Sequence, residues 1–388
     1  MDKKEEAGVK VIKCSGLADL LATLPVLMGY RASNSIVIAL FKGNRAASAL
    51  RCDLPDKKIA PYDTGLQSHI MAILNRFSWV TSVAITLYTD ESFKENRNAP
   101  RQMLAFWLER EIKSAGYEVK EIACVASDAW VSYRDKTRIR AGRPLNEIEE
   151  TIASFESRAL LEKPLSDISE VTSLPSADDE VKQLISIRIK ETSDMLPDIL
   201  DPFIFDETVA LTEAMFIDLP LTSSRENTKI SESARFLKLI QEPALWFVSL
   251  ATIAVGETRA LDLASSLTTK EVIRLNGKPN EQAVNKNIWS AVDALLLFSA
   301  QRIPPQRLRN ALDVFGKLSV NVPKSHRGPL TAMLAWCWWV GGMSTPATST
   351  IDEALELNPE NKTANLIKHL IDMGPPLWIF DEIPKNVG

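Results

Sequence analysis

At 388 residues the chain has room for two domains of about 100–200 residues each and for a sizeable core. Its 45% hydrophobic and 24% charged content excludes a disordered or fibrous protein, and its net charge of −5 argues against a wholesale nucleic-acid binder, whose domain would be strongly basic. The opening MDKKEEAG has no apolar h-region, so no signal peptide is expected, and the apolar run Ala244 to Val255 is too short for a span of about 20 residues and reads as a buried helix.

The plan of the chain is clearest from Val9 to Pro55. Val9 and Val11 among lysines predict a short strand with one wet face. Ser15 stands where an N-cap belongs, and Leu17, Leu20, Leu21, Leu24, Leu27 and Met28 follow at helical spacing, with Asp19 in the first turn and Gly29 closing the helix. Ser35 to Phe41 is apolar without alternation, as a strand covered on both faces would be, and is the candidate sheet centre. Lys42 to Arg45 makes a turn. Ala46 to Leu54 then returns as a strand on which Arg51 and Asp53 share one face.

Further along, Leu66, Ile70, Ile73, Leu74 and Phe77 mark a helix begun at Pro61. Val80 to Tyr88 is a strand, Leu104 to Ala115 a helix stopped by Gly116, and Glu121 to Tyr133 a strand pair or one long strand with a break at Ser127 and Asp128. Strands and helices in this alternation predict an α/β domain over residues 1–144, with a mixed sheet and helices on its faces, because the hairpin from Ile36 to Leu54 rules out a purely parallel arrangement.

The residues SGLADLLATLPVLMGYRASNSIVIALF and RCDLP resemble the opening signature of an actinobacterial family classed as a domain of unknown function. The likeness continues more loosely through VTSVAITLYTD, SDAWVSYR and LAWCWWVGG with ALELNP. A cysteine-containing segment follows the counterpart of Trp130 to Tyr133 in that family, whereas Arg134 to Arg143 here holds none. The resemblance supports the fold and implies no particular activity.

Leu145, Ile148, Ile152, Phe155 and Ala159 form the stripe of one more amphipathic helix. With the aperiodic, Ser-, Asp- and Pro-rich stretch from Leu165 to Asp179 it makes a connecting helix and linker, residues 145–180. Residues 181–388 read as an all-α helical bundle, with helices expected over Gln282 to Ala300 and Pro329 to Val340 among others. Its end, from Met333 to Leu370, carries ALELNPEN after a Gly-Gly break, which suggests tetratricopeptide-like packing, although one convincing unit is fewer than the roughly three a solenoid needs.

No phosphate-binding glycine loop, dinucleotide fingerprint, nucleophile elbow or paired-histidine zinc motif is present, so no cofactor is called for. His69, His326 and His369 have no companion at ligand spacing, and no metal site is expected. Cys14, Cys52, Cys124 and Cys337 show no C-x-x-C pair and read as reduced, buried thiols in a cytoplasmic protein. Three weaker candidates remain. Asp53, Asp90 and Asp128 each end a strand-like run, where ligands of open α/β sheets bind, with Arg51 and Tyr133 near; the alternative is that Asp is a common turn residue. Arg134, Lys136, Arg138 and Arg140, if extended, would present a cationic edge to phosphate or an acidic partner, or would pair internally with the acidic stretch from Glu191 to Glu207. Trp336, Trp338 and Trp339 cannot all face one way on a helix, so one would point outward unless neighbouring helices bury all three. The first functional expectation is a non-enzymatic interaction or scaffold protein, with a protein partner or self-association and neither membrane nor nucleic acid. The alternative is a small-molecule or nucleotide-binding enzyme using the strand-end carboxylates with a divalent metal.

Overall fold

A computed structural model describes residues 12–56, 64–96, 98–161, 164–192, 203–217, 226–266, 300 and 302–381. The predicted strand at Val9 and Val11 lies outside them. The chain divides into two compact units, Met1–Ser173 with Phe380–Gly388, and Leu174–Ile379.

The first unit is built on a five-stranded mixed sheet in the order β2-β1-β3-β4-β5. β1 (Ser35–Lys42) and β2 (Arg45–Asp53) form the predicted hairpin. β1 also pairs antiparallel with β3 (Ser82–Tyr88), β3 pairs parallel with β4 (Glu118–Val125), and the short β5 (Trp130–Ser132) closes the edge. All of β1 except Lys42 is buried, as its unbroken apolar run requires, but it is an interior strand and not the sheet centre, which is β3. On one face Val37, Ala39 and Phe41 pack with Leu21 and Leu24 of α1 (Leu17–Met28). On the other, α3 (Gln102–Ser114) packs against β3 and β4, and α2 (Thr64–Leu74) against α3.

The start of α1 is capped differently from expectation. Its N-cap is Gly16, without a side-chain bond. The buried Asp19 instead reaches back and accepts from the Ser15 backbone N–H at 2.7 Å and from its hydroxyl at 2.5 Å, so Ser15 is a donor that the first-turn carboxylate ties to the helix and not a capping acceptor. Gly29 ends the helix in the left-handed conformation, φ 85°, and its N–H bonds the Pro25 carbonyl at 2.8 Å.

The predicted single helix over Leu145 to Ala159 is two helices, α4 (Asn146–Glu149) and α5 (Ile152–Ala159). Thr151 breaks it, because its hydroxyl caps α5 by accepting from the Ser154 N–H at 3.0 Å. The break changes the phase of the stripe. Leu145 and Ile148 pack into the core under α1, whereas α5 buries Ala153, Ser154 and Ser157 and turns Ile152 and Phe155 outward. The linker expectation also needs correction: α6 (Ile168–Thr172) lies inside it, capped by Asp167, and the Asp167 carboxylate accepts from the Ser33 hydroxyl at 2.9 Å. A helix of five residues is too short to show a period.

The second unit is helical: α7 (Asp179–Glu191), α8 (Phe203–Ile217), α9 (Glu226–Leu239), α10 (Pro243–Val255), α11 (Glu257–Ser266), α12 (Pro305–Asn321), α13 (Lys324–Val340), α14 (Ser344–Leu357) and α15 (Lys362–Asp372). The helix expected over Gln282 to Ala300 falls outside the described residues, apart from Ala300. α10 is buried on every side from Ala244 to Ile253, as its uniformly apolar sequence requires. Among the described residues no single helix is long and apolar enough to cross a membrane.

Candidate functional site

Because β2, β3 and β4 run the same way, their carboxyl ends meet at one edge of the sheet, where Ser35 pairs with both Asp53 and Tyr88, and Tyr88 with Val125. This places Asp53, Asp90 and Asp128 at the same end. Each is held by its own partner. Asp53 accepts from Arg51 at 2.6 Å, and the Arg51 Nε also donates to the Ser35 hydroxyl at 2.8 Å. Asp90 accepts from the Asn34 side chain, and its own N–H donates to Asn34 Oδ1 at 3.1 Å. Asp128 accepts from the Phe93 N–H at 2.9 Å. Among the described residues no three His, Cys, Asp or Glu side chains stand close enough to hold a metal ion.

Two residues at this edge escaped sequence reasoning. Asn34 and Arg101 are the only described non-glycine residues in the left-handed region, with φ 42° and 58°; for Arg101 that is strained. Arg101 precedes α3 directly, pairs with Glu91, and donates to the Pro55 carbonyl at 2.8 Å. No periodic pattern marks such positions, since backbone strain arises from tertiary bonds. Tyr133 is buried and donates to the Pro100 carbonyl; burial raises its pKa well above the usual phenol value.

The cationic segment is not extended. Asp135 folds it into turns: its Oδ1 accepts from the Thr137 N–H and hydroxyl and from the Arg138 N–H, and its Oδ2 accepts from Arg143. Arg134 is absorbed by the fold, donating to the Lys120 and Val119 carbonyls and pairing with Glu109 at 2.6 Å. Its counter-charge is therefore Glu109 on α3. Of the acidic stretch, Glu191 pairs with Arg188 and Glu207 with Arg235; Asp194, Asp198 and Asp201 lie outside the described residues. Lys136, Arg138 and Arg140 stand exposed.

The Thr137 hydroxyl and the Arg143 guanidinium hold the Asp135 carboxyl down to about 2, from an ordinary 3.8. A depressed folded pKa contributes order above the unfolded value and loses it as pH falls toward the folded one. The turn is thus expected to stay intact above pH 4 and to loosen between about pH 4 and 2. A carbon-detected NMR titration of Asp135 should show the low midpoint, and Arg143→Ala should raise it; a midpoint near 4 in the parent protein would contradict the turn.

The tryptophans show why a helix surrounded on several sides escapes the one-face rule. α13 packs against α9, α12, α14 and α15, and Trp336, Trp338 and Trp339 are all buried. None points outward. His69 and His369 are exposed.

All four cysteines are free thiols. Burial pushes Cys52 up to about 11 and Cys124 up to about 12, and raises Cys337 further. Since the thiolate is the reacting form, a thiol reagent at pH 8 should label the exposed Cys14 first, and Cys124 and Cys337 only after denaturant is added. Rapid native labelling at Cys337, read by peptide mass, would contradict the packing around α13.

The surface holds a feature of the opposite kind. Ile152 and Phe155, one turn apart on α5, are 77% and 59% exposed, and Met103 and Phe106 on α3 are 62% and 41% exposed. Spacing alone pointed to Phe155 and Ile152 as core. The signal that could have placed them outside is Thr151, a capping residue in mid-stripe.

Residues 18–177 match the model of a family described as Domain of unknown function (DUF4192), which bears out the resemblance over that span. No curated protein and no solved structure matches the chain.

Proposed function

We propose that a chain built on this domain acts by holding a protein partner, as a non-enzymatic interaction or scaffold protein. The observation that carries the reading is the outward-facing pair Ile152 and Phe155 on α5. Large apolar side chains aligned on one helix face lose free energy in water and recover it when a partner covers them. Four free thiols support a reducing, cytoplasmic setting. The successive packing of α13, α14 and α15 supports reading the end of the chain as tetratricopeptide-like, a packing that serves binding in other proteins.

Sedimentation of the fluorescently tagged chain in an extract of its own cells tests the proposal. The parent should sediment as a complex heavier than the 43.1 kDa chain, and Ile152→Asp with Phe155→Asp should return it to the single-chain rate. Equal rates for the two proteins would overturn it.

A second reading has its own observation, the left-handed Asn34 and Arg101 at the carboxyl edge of the sheet, where strain and ligand sites coincide in other folds. There the edge would bind a small molecule or nucleotide, with Arg51, Asp53 and Asp90 contacting it. Thermal-shift measurements with nucleotides and Mg²⁺ or Mn²⁺ decide it, since a ligand selective for the native state raises its stability; no shift removes its support.

A further inference from the structure

We propose that the surface formed by the turn after β5 and by α4 and α5 is the contact between two copies of this chain, the cationic turn of each copy meeting the acidic α4 of the other across a two-fold axis. This rests on reading the chain as an interaction protein and names its partner as itself.

The two charged surfaces are fixed side by side by Arg143, whose guanidinium lies 3.0 Å from Asp135 in the turn and 3.8 Å from Glu147 on α4. On the turn, Arg138 and Arg140 are exposed, and among the described residues neither side chain makes an ion pair. On the helix side, among the described residues, Glu149 is exposed without an ion pair, and the Glu150 carboxylate accepts a 3.2 Å bond from Asn146 and makes no ion pair. Ile152 and Phe155 follow within the next two turns of chain, outward-facing.

A patch that carries cationic, anionic and apolar parts in sequence is complementary to its own copy under two-fold rotation, because each contact from one copy to the other is made twice. The apolar pair supplies the desolvated centre, and the charges around it set register and exclude wrong partners. A uniformly acidic or uniformly basic foreign surface fits worse, since it leaves one charged half facing its own sign.

Sedimentation equilibrium of the purified full chain over a concentration series tests this. The parent should associate reversibly to dimers, more weakly in 1 M salt, where exposed charges are screened. Ile152→Asp with Phe155→Asp should weaken association by at least about thirtyfold, as loss of central apolar contacts does. Reversing the turn (Arg138→Glu with Arg140→Glu) or the helix (Glu149→Lys with Glu150→Lys) should each weaken self-association by about tenfold or more. An equimolar mixture of the two reversed proteins should associate like the parent, because both swapped contacts are again opposite in sign. Impaired folding would not be repaired by mixing. A parent that stays monomeric at every concentration, or a mixture that stays as weak as its components, would overturn the proposal. A monomeric pure parent with an extract complex still lost on Ile152→Asp and Phe155→Asp defeats self-association alone; loss of both signals defeats the interaction reading as well.

Discussion

Replacing Trp246 with alanine should cost the helical unit about 4 kcal/mol, the largest single effect expected in this protein. The side chain is 1% exposed in the first turn of α10, and its indole N–H donates to the Pro329 carbonyl at 2.9 Å. Truncation therefore removes the transfer energy of a large aromatic, opens a cavity, and withdraws a buried donor at once. The cavity term adds fully to the transfer term, because α10 is buried on every side from Ala244 to Ile253 and a close-packed interior has little freedom to collapse inward. Hydrogen exchange read by peptide mass should show protection in α10 and α13 falling by two to three orders of magnitude, which corresponds to about 3–4 kcal/mol. A fall of less than tenfold would mean that α10 is not the packed centre of its unit.

The second large effect belongs to the sheet. Ile38→Ala should destabilise the first unit by about 3 kcal/mol, since Ile38 is fully buried on the interior strand β1, paired with Leu50 on one side and Ile85 on the other. Ile152→Ala is the control: the residue type and the change are the same, but the side chain is 77% exposed and the cost should stay within about 0.5 kcal/mol. Urea unfolding of both proteins measures the contrast. Equal losses would place Ile152 in a core and remove the basis for an interaction surface on α5.

That contrast also shows what the residues revealed and what they concealed. The hairpin of β1 and β2, the shared face of Arg51 and Asp53, the mixed sheet and the buried α10 were all legible, because each rests on one dominant local pattern: an unbroken apolar run, a period of two, or a helix apolar on every side. Where two local rules competed, the longer pattern misled. Five apolar residues at helical spacing from Leu145 to Ala159 outvoted one capping threonine, yet Thr151 decides the phase of α5 and with it the exposure of Phe155. The cationic segment was open for a similar reason, since its charges would share one side only if it were extended, whereas Asp135 accepts several donors and folds it into turns. The helix expected to begin at Pro329 begins at Lys324, five residues before a proline that reads as a start signal and lies inside.

The edge of the sheet was half legible. Strand-end aspartates could be named from turn chemistry, and the topology does bring Asp53, Asp90 and Asp128 to one end. The partners of Asp90 and Asp128, and the left-handed Asn34 and Arg101 beside them, come from contacts between residues far apart in the chain, which no local spacing encodes.

Site-specific photo-cross-linking from position 155 of the intact chain is the most direct test of an interaction role for α5. A photoreactive phenylalanine analogue there, irradiated in the living cell, should form a covalent protein adduct, of twice the chain's mass where a second copy is the partner, while the same analogue at the buried Phe315 forms none. Irradiation that leaves position 155 without any protein adduct would show that the outward face of α5 meets only water.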